Sequence, residues 1–187
     1  SYFEKINSLS IELNKKITKS DLPSKFIFSE SNNYKVLMII SGGVACYKSL
    51  DLIREFKKTN VNLEIILTES AQNFINPILI TSLNGKKCWS ELFSDEDEEN
   101  MNHIKLARDN DLILVVPATA NLIGKLANGL ADDLASNVLL ATNNKIVLAP
   151  SMNPVMWLNK ATQSNVNTIK ERGIDFIEPE SGDMACG

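Results

Sequence analysis

The side chains able to do chemistry sit where short apolar runs end. Ser41-Gly42-Gly43-Val44 follows the run Lys35–Ile40. Glycines there let the backbone approach a phosphate, and helix-start amides can hydrogen-bond it. The turn is not GxGxxG, and a tight strand-to-helix turn needs glycine in any case. Thr68-Glu69-Ser70 ends a second run, Leu63–Leu67, where hydroxyls can hold phosphate or equally cap a helix. Pro117-Ala118-Thr119-Ala120-Asn121 ends a third run. Its small residues leave room for a flat ring, whose polar edge the backbone and the Asn121 amide can address; Asn121 also fits as an N-cap. Pro150-Ser151-Met152-Asn153-Pro154-Val155-Met156-Trp157 ends a fourth. Asn followed by Pro is an ordinary cap and first helical residue, while Met156 and Trp157 are of types more often found in cores. His103, the only histidine, begins a short amphipathic segment, Ile104–Arg108. Cys186 sits in Asp183-Met184-Ala185-Cys186-Gly187, a loop-like composition.

Four apolar runs, Lys35–Ile40, Leu63–Leu67, Leu112–Val116 and Lys145–Leu148, read as buried strands, with a fifth at Ile174–Ile177. Helical spacing follows them over Val44–Lys58, from near Ala71, from about Asn121, and over Pro154–Arg172, which Gly173 can cap. Continuous apolar strands alternating with helices predict a doubly wound, mostly parallel α/β sheet of Rossmann or flavodoxin type. In such a sheet ligands bind beyond the carboxyl ends of the strands, where the residues above lie. Residues 1–33 are polar and read as a helical extension leading into a linker, and residues 34–187 as one domain.

Composition narrows the class. The chain has 187 residues, 44% of them apolar and 22% charged, with a net charge of −4. That is the profile of a soluble globular domain. The acidic balance, with no basic stripe, argues against nucleic acid. No apolar run approaches the ~20 residues of a membrane helix, and no basic start followed by an apolar block marks a secretory signal. Cys46, Cys88 and Cys186 are odd in number and widely spaced, so neither a disulfide framework nor a zinc site is expected. Reduced thiols suit a cytoplasmic protein. The acidic run Asp95–Glu99 reads as a solvated loop, since a continuous run lacks the spaced ligands of a metal site.

Taken together, these segments resemble the homo-oligomeric flavin-containing cysteine decarboxylases. Pro117–Asn121 with Gly129-Leu130-Ala131-Asp132-Asp133-Leu134 resembles that family's PxSAN…GxxD(N/D)L region. Pro150–Trp157 matches its PxMNxxMW motif, Met101-Asn102-His103-Ile104 its histidine segment, and Met184-Ala185-Cys186-Gly187 its LACG clamp. Order and spacing agree across residues 34–187. Within the family the phosphopantothenoylcysteine decarboxylases are the most similar. Peptidyl-cysteine decarboxylases share the histidine and the PxMNxxMW motif.

The resemblance implies FMN as cofactor and decarboxylation of 4′-phosphopantothenoylcysteine to 4′-phosphopantetheine in coenzyme A biosynthesis. Carboxylate loss from an unactivated cysteine needs an electron sink that side chains lack. The family has FMN oxidise the substrate thiol to a thioaldehyde, CO2 leaves to give an enethiolate, and hydride and a proton then return. By the same resemblance Cys186 supplies the proton and His103 is an acid/base or orienting group. Asn153 holds the substrate carboxylate and amide, and Asp183, Met184 and Ala185 fold over it. FMN falls to Gly42, Gly43, Val44, Thr68, Glu69, Ser70, Thr119, Ala120, Asn121, Leu122 and Ser151. No metal is implied. Trimers, or dodecamers built from them, are the implied assembly. The family's clamp continues into a glycine-rich stretch ending in arginine, whereas this sequence reads to Gly187 without a synthetase region, so turnover is expected to suffer before FMN binding does. Rival readings are a peptide substrate ending in cysteine and a non-catalytic regulator of the same fold. A nicotinamide dehydrogenase is a third; Glu69 suits it, but the glycine turn does not.

Overall fold

The structure is a computed structural model and describes residues 34–59, 61–91 and 102–177. The extension at residues 1–33, the acidic run Asp95–Glu99 and the segment Asp183–Gly187 lie outside the described residues.

Five parallel strands form one sheet: β1 (Tyr34–Ile40), β2 (Val61–Leu67), β3 (Leu112–Ala118), β4 (Lys145–Pro150) and β5 (Asp175–Phe176), in the order β2-β1-β3-β4-β5. Val36–Ile40, all of β3 and Ile146–Pro150 are buried, which is why these strands read as unbroken apolar runs. The edge of β2 is covered by Trp89, whose N–H donates to Ile65 O at 2.8 Å and whose carbonyl accepts from Leu67 N–H at 2.8 Å.

Helix α1 (Cys46–Phe56) links β1 to β2; α2 (Glu69–Gln72), α3 (Pro77–Asn84) and α4 (Asn102–Arg108) lead from β2 to β3. Helices α5 (Ala120–Asn128) and α6 (Leu134–Ala141) lead to β4, and α7 (Pro154–Leu158) and α8 (Lys160–Glu171) to β5. Leu106, Leu122, Ile123, Leu126, Val138, Val166 and Ile169 from α4, α5, α6 and α8 pack in one core with Leu37, Ile39, Ile113, Val115, Ile146 and Leu148 of the sheet. Each fully buried aliphatic side chain there contributes roughly 1.5–3 kcal/mol. The chain moves one way from β1 to β2 and the other way from β3 to β5. That reversal opens a crevice between the carboxyl ends of β1 and β3.

The predicted elements hold with corrections. The helix expected over Pro154–Arg172 is two helices, because Asn159 adopts an extended backbone (ψ 134°) and caps α8 by accepting from Ala161 N–H at 2.9 Å. A side chain that bonds the backbone locally competes with helix continuation. Gly173 does end α8, with φ +84° and its N–H on Lys170 O. Helix α1 starts at Cys46 rather than Val44, and β3 runs on to Ala118 through a shift in its register with β4 after Val115. Helices α3 and α6 were not legible as such.

Candidate active site

The strand ends form a continuous row. A Cβ placed on Gly42, after β1, would lie 2.5 Å from Ser70 Oγ and 2.6 Å from the Ser70 carbonyl carbon, after β2. Gly43 faces Thr119, after β3, with 3.7 Å between a virtual Cβ and Thr119 Cγ2. Ser41 closes the crevice itself: its hydroxyl donates to Pro117 O at 2.6 Å and accepts from Thr119 N–H at 3.1 Å. Ser151 N–H, after β4, donates to Ala118 O at 3.2 Å. The backbone thus brings Gly42, Gly43, Ser70, Thr119 and Ser151 side by side, as the sequence led us to expect.

Polar groups in this row are left available. Among the described residues, the N–H groups of Gly42, Val44, Glu69 and Ser70 have no hydrogen-bond acceptor. Two adjoining backbone turns therefore carry unsatisfied donors, next to the Thr68 and Ser70 hydroxyls, which lie 3.2 Å apart. Gly43 differs, since its N–H donates to Cys46 Sγ at 3.4 Å. The Cys46 thiol in turn donates to Ser41 O at 2.9 Å. Burial pushes this thiol up, against weaker lowering by its backbone hydrogen bonds.

On the β3 side Thr119, not Asn121, is the N-cap of α5, accepting from Leu122 N–H at 3.4 Å. Asn121 is exposed and its amide is unpartnered among the described residues. Leu122 points its side chain into the core. The segment after α5 is built by Gly129 at φ +68° and by Asp133, which caps α6 by accepting from Ser136 N–H at 2.7 Å while its own N–H donates to Ser136 Oγ. Lys125 bridges Asp132 and Asp133 at 2.6 Å each. Burial alone would raise the Asp133 carboxyl, but hydrogen bonds from Lys125 and Ser136 outweigh it and hold it below the usual carboxylate range.

On the β4 side Asn153 does cap α7: its Oδ1 accepts from Val155 N–H at 2.8 Å. That bond orients the side chain and leaves the exposed amide NH2 without a partner among the described residues. Trp157 packs on the core, and its carbonyl accepts from Gln163 Nε2 at 2.6 Å. Met156 departs from the core expectation, at 50% exposed. A helix as short as α7 buries one face only, and here that face belongs to Trp157.

His103 lies in the first turn of α4, half-buried, with no hydrogen bond to a described residue. Thr142 Oγ1 and Asn144 Nδ2 fix the far end of that helix by donating to Ala107 O at 2.7 and 3.1 Å. Among the described residues no hydrogen bond ties His103 to the row of strand ends. The expected residues Cys186, Asp183, Met184 and Ala185 lie outside the described residues. Cys46 and Ser49, which help organise the crevice, were not singled out from sequence as site residues, and Ser41 was noted only as the start of the glycine turn. A small polar residue one turn into a helix gives no sign of what it will meet.

A doubly wound sheet with free backbone donors and small side chains beside its switch point defines a protein suited to a phosphorylated ligand. The family model described as flavoprotein matches residues 28–187, and the chain belongs to that family. It is similar to the coenzyme A biosynthesis bifunctional protein CoaBC of Vibrio vulnificus, 39% identical over 153 residues, which are 82% of this chain and 38% of that one. The chain thus spans less than half the length of the curated relatives it matches. Among solved structures it is similar to the FMN-dependent cysteine decarboxylase SpaF, with a TM-score of 0.74, 26% identity, and coverage of 82% of this chain and 88% of that one. It is likewise similar to a PPC decarboxylase complexed with pantothenoylaminoethenethiol, with a TM-score of 0.72, 28% identity, and coverage of 83% and 86%.

Proposed function

We propose that residues 34–187 bind FMN and decarboxylate 4′-phosphopantothenoylcysteine to 4′-phosphopantetheine, a step of coenzyme A biosynthesis. The observation that carries this is the set of free N–H groups of Gly42, Val44, Glu69 and Ser70 on two turns packed against each other, beside the Thr68 and Ser70 hydroxyls. That donor set suits a phosphate dianion. Thr119, Ala120, Asn121, Leu122 and Ser151 continue the row along β3 and β4, where a flat ring would lie. The similarity to an FMN-dependent cysteine decarboxylase and to a PPC decarboxylase supports the same reading.

When bound, FMN supplies the two-electron acceptor that carboxylate loss needs and returns those electrons afterwards. The chain's own groups do the rest. Asn153, oriented by its cap bond, offers its amide NH2 to the substrate carboxylate and amide. His103 holds or moves a proton at an imidazole nitrogen near the reacting thiol. For Asp183, Met184, Ala185 and Cys186, outside the described residues, the roles proposed are those the family resemblance implies: the first three to shield the substrate from water, and the Cys186 thiol to give a proton to the decarboxylated carbon.

Assembly as a homotrimer, or as a dodecamer of trimers, belongs to the same proposal. Exposed Val155, Met156 and Leu158 on α7 support it as apolar surface beside the site. Among the described residues no helix is long and apolar enough to cross a membrane; a cytoplasmic location is part of the proposal and rests on the reading of reduced thiols in the sequence.

A visible spectrum of the purified chain, before and after anaerobic addition of phosphopantothenoylcysteine, tests the whole reading. A flavin spectrum with CO2 and phosphopantetheine appearing is expected. Decarboxylation of a peptide ending in cysteine in place of this substrate would reassign the substrate. Failure to bind FMN, even on reconstitution, would overturn the proposal.

A further inference from the structure

The two halves of the crevice are joined by a residue that faces neither. β3 pairs with β1 only as far as Val115, and its register with β4 shifts between Val115 and Ala118. The carbonyls of Val116 and Pro117 therefore leave the ladder while still buried. A buried carbonyl needs a partner, and both are caught by serines. Ser41 takes Pro117 O, and Ser49, one turn into α1 and 1% exposed, donates to Val116 O at 2.8 Å. Cys46 on the same helix holds Ser41 O. Helix α1 is thus fastened at its start to the Gly42–Val44 turn and through Ser49 to β3, the strand that leads into Thr119–Leu122.

We propose that Ser49 is a positioning residue for the flavin: its hydroxyl fixes the separation between the phosphate-side turn and the ring-side turn. This rests on the FMN reading above. Ser49 touches no ligand; it acts through the Val116 carbonyl. Replacing it by an apolar residue leaves that carbonyl unsatisfied, and the end of β3 relaxes relative to α1. A ligand that spans both turns then loses its simultaneous fit, because small displacements of a preorganised site weaken binding.

The test is FMN titration of the apo-protein by fluorescence, with the visible circular dichroism of the bound flavin. Wild type, Ser49→Ala and the core control Val166→Ala on α8 are compared, and thermal melts are recorded for each. Ser49→Ala is expected to weaken FMN by about tenfold, the scale of one lost hydrogen bond, and to alter the flavin dichroism. Val166→Ala, 2% exposed and on α8, which carries none of the residues assigned to FMN, is expected to lower the melting temperature with binding and dichroism intact. If Ser49→Ala yields no soluble protein, Ser49→Cys, near-isosteric with a weak donor, makes the same comparison. Unchanged affinity and dichroism in the Ser49 variant would overturn the proposal, as would equal losses in Val166→Ala. No FMN binding by wild type would instead bring down the functional reading on which it stands.

Discussion

Gly42 and Ser70 approach so closely that a Cβ on residue 42 would lie within 2.6 Å of the Ser70 backbone. Such contact cannot be relieved by a side-chain rotation, because the obstructing atom is main chain. Gly43, next in sequence, has only an ordinary contact with Thr119. Gly42→Ala is therefore expected to cost about 1–3 kcal/mol of stability and to abolish FMN binding. Gly43→Ala should stay within roughly 0.5 kcal/mol of wild type. Thermal melts paired with flavin absorbance distinguish the two; equal behaviour would refute the steric argument.

Asn153 joins two roles that substitution can separate. Asp is as good an N-cap as Asn, so Asn153→Asp should melt within roughly 0.5 kcal/mol of wild type. It replaces the free NH2 by an acceptor that repels the substrate carboxylate, and kcat/KM should fall by roughly 100-fold with FMN still bound. Asn153→Ala should lose activity and about 1 kcal/mol of stability as well. Retained activity in Asn153→Asp would remove this residue from substrate binding.

Asp133 gives a pH signature. Its carboxyl is held low in the folded state by Lys125 and Ser136, in spite of burial. A depressed folded value stabilises the protein above the unfolded pKa of about 3.9. That stabilisation is lost as pH falls through the lower folded value. Asn in its place keeps the cap but not the charge. Asp133→Asn should be less stable at neutral pH by roughly 0.5–1 kcal/mol, allowing for solvent screening, and the gap should close in acid. Denaturant titrations from neutral pH down to acid check this; a gap that widens in acid contradicts it.

Cys46 and Cys88 should be inert thiols. Both are buried, and burial pushes both above the ordinary thiol range, which lowers the thiolate fraction at neutral pH. Peptide mapping after iodoacetamide treatment should find neither labelled in native protein and both labelled in denaturant. Rapid native labelling of Cys46 would mean that the Ser41–Cys46 contact opens in solution.

Much of the fold was legible because burial on both sheet faces writes itself as continuous apolar runs. Val36–Ile40 and Leu112–Ala118 are buried throughout, and their ends locate the site. The break at Asn159 was not legible, since an Asn inside helical spacing is a cap only if its backbone turns extended. Helix α6 was hidden because Leu134–Ala141 is apolar nearly all round, so no 3.6-residue stripe separates it from a strand. The cap of α5 was misplaced by two residues, from Thr119 to Asn121, because both types cap well and only the strand's true end decides between them.

By itself the sequence determined the alternation of strands and helices and the chemical character of the strand ends, because both follow from local periodicity and residue type. Only the tertiary structure decided which glycine is indispensable, which asparagine amide is free, and which hydroxyls hold the crevice. Ser49 meets Val116 across 67 residues, and Ser41 meets Thr119 across 78. Such partners are chosen by the strand order and by a shifted register in β3, and no local pattern in the chain encodes a contact between hydroxyls and backbone groups so far apart.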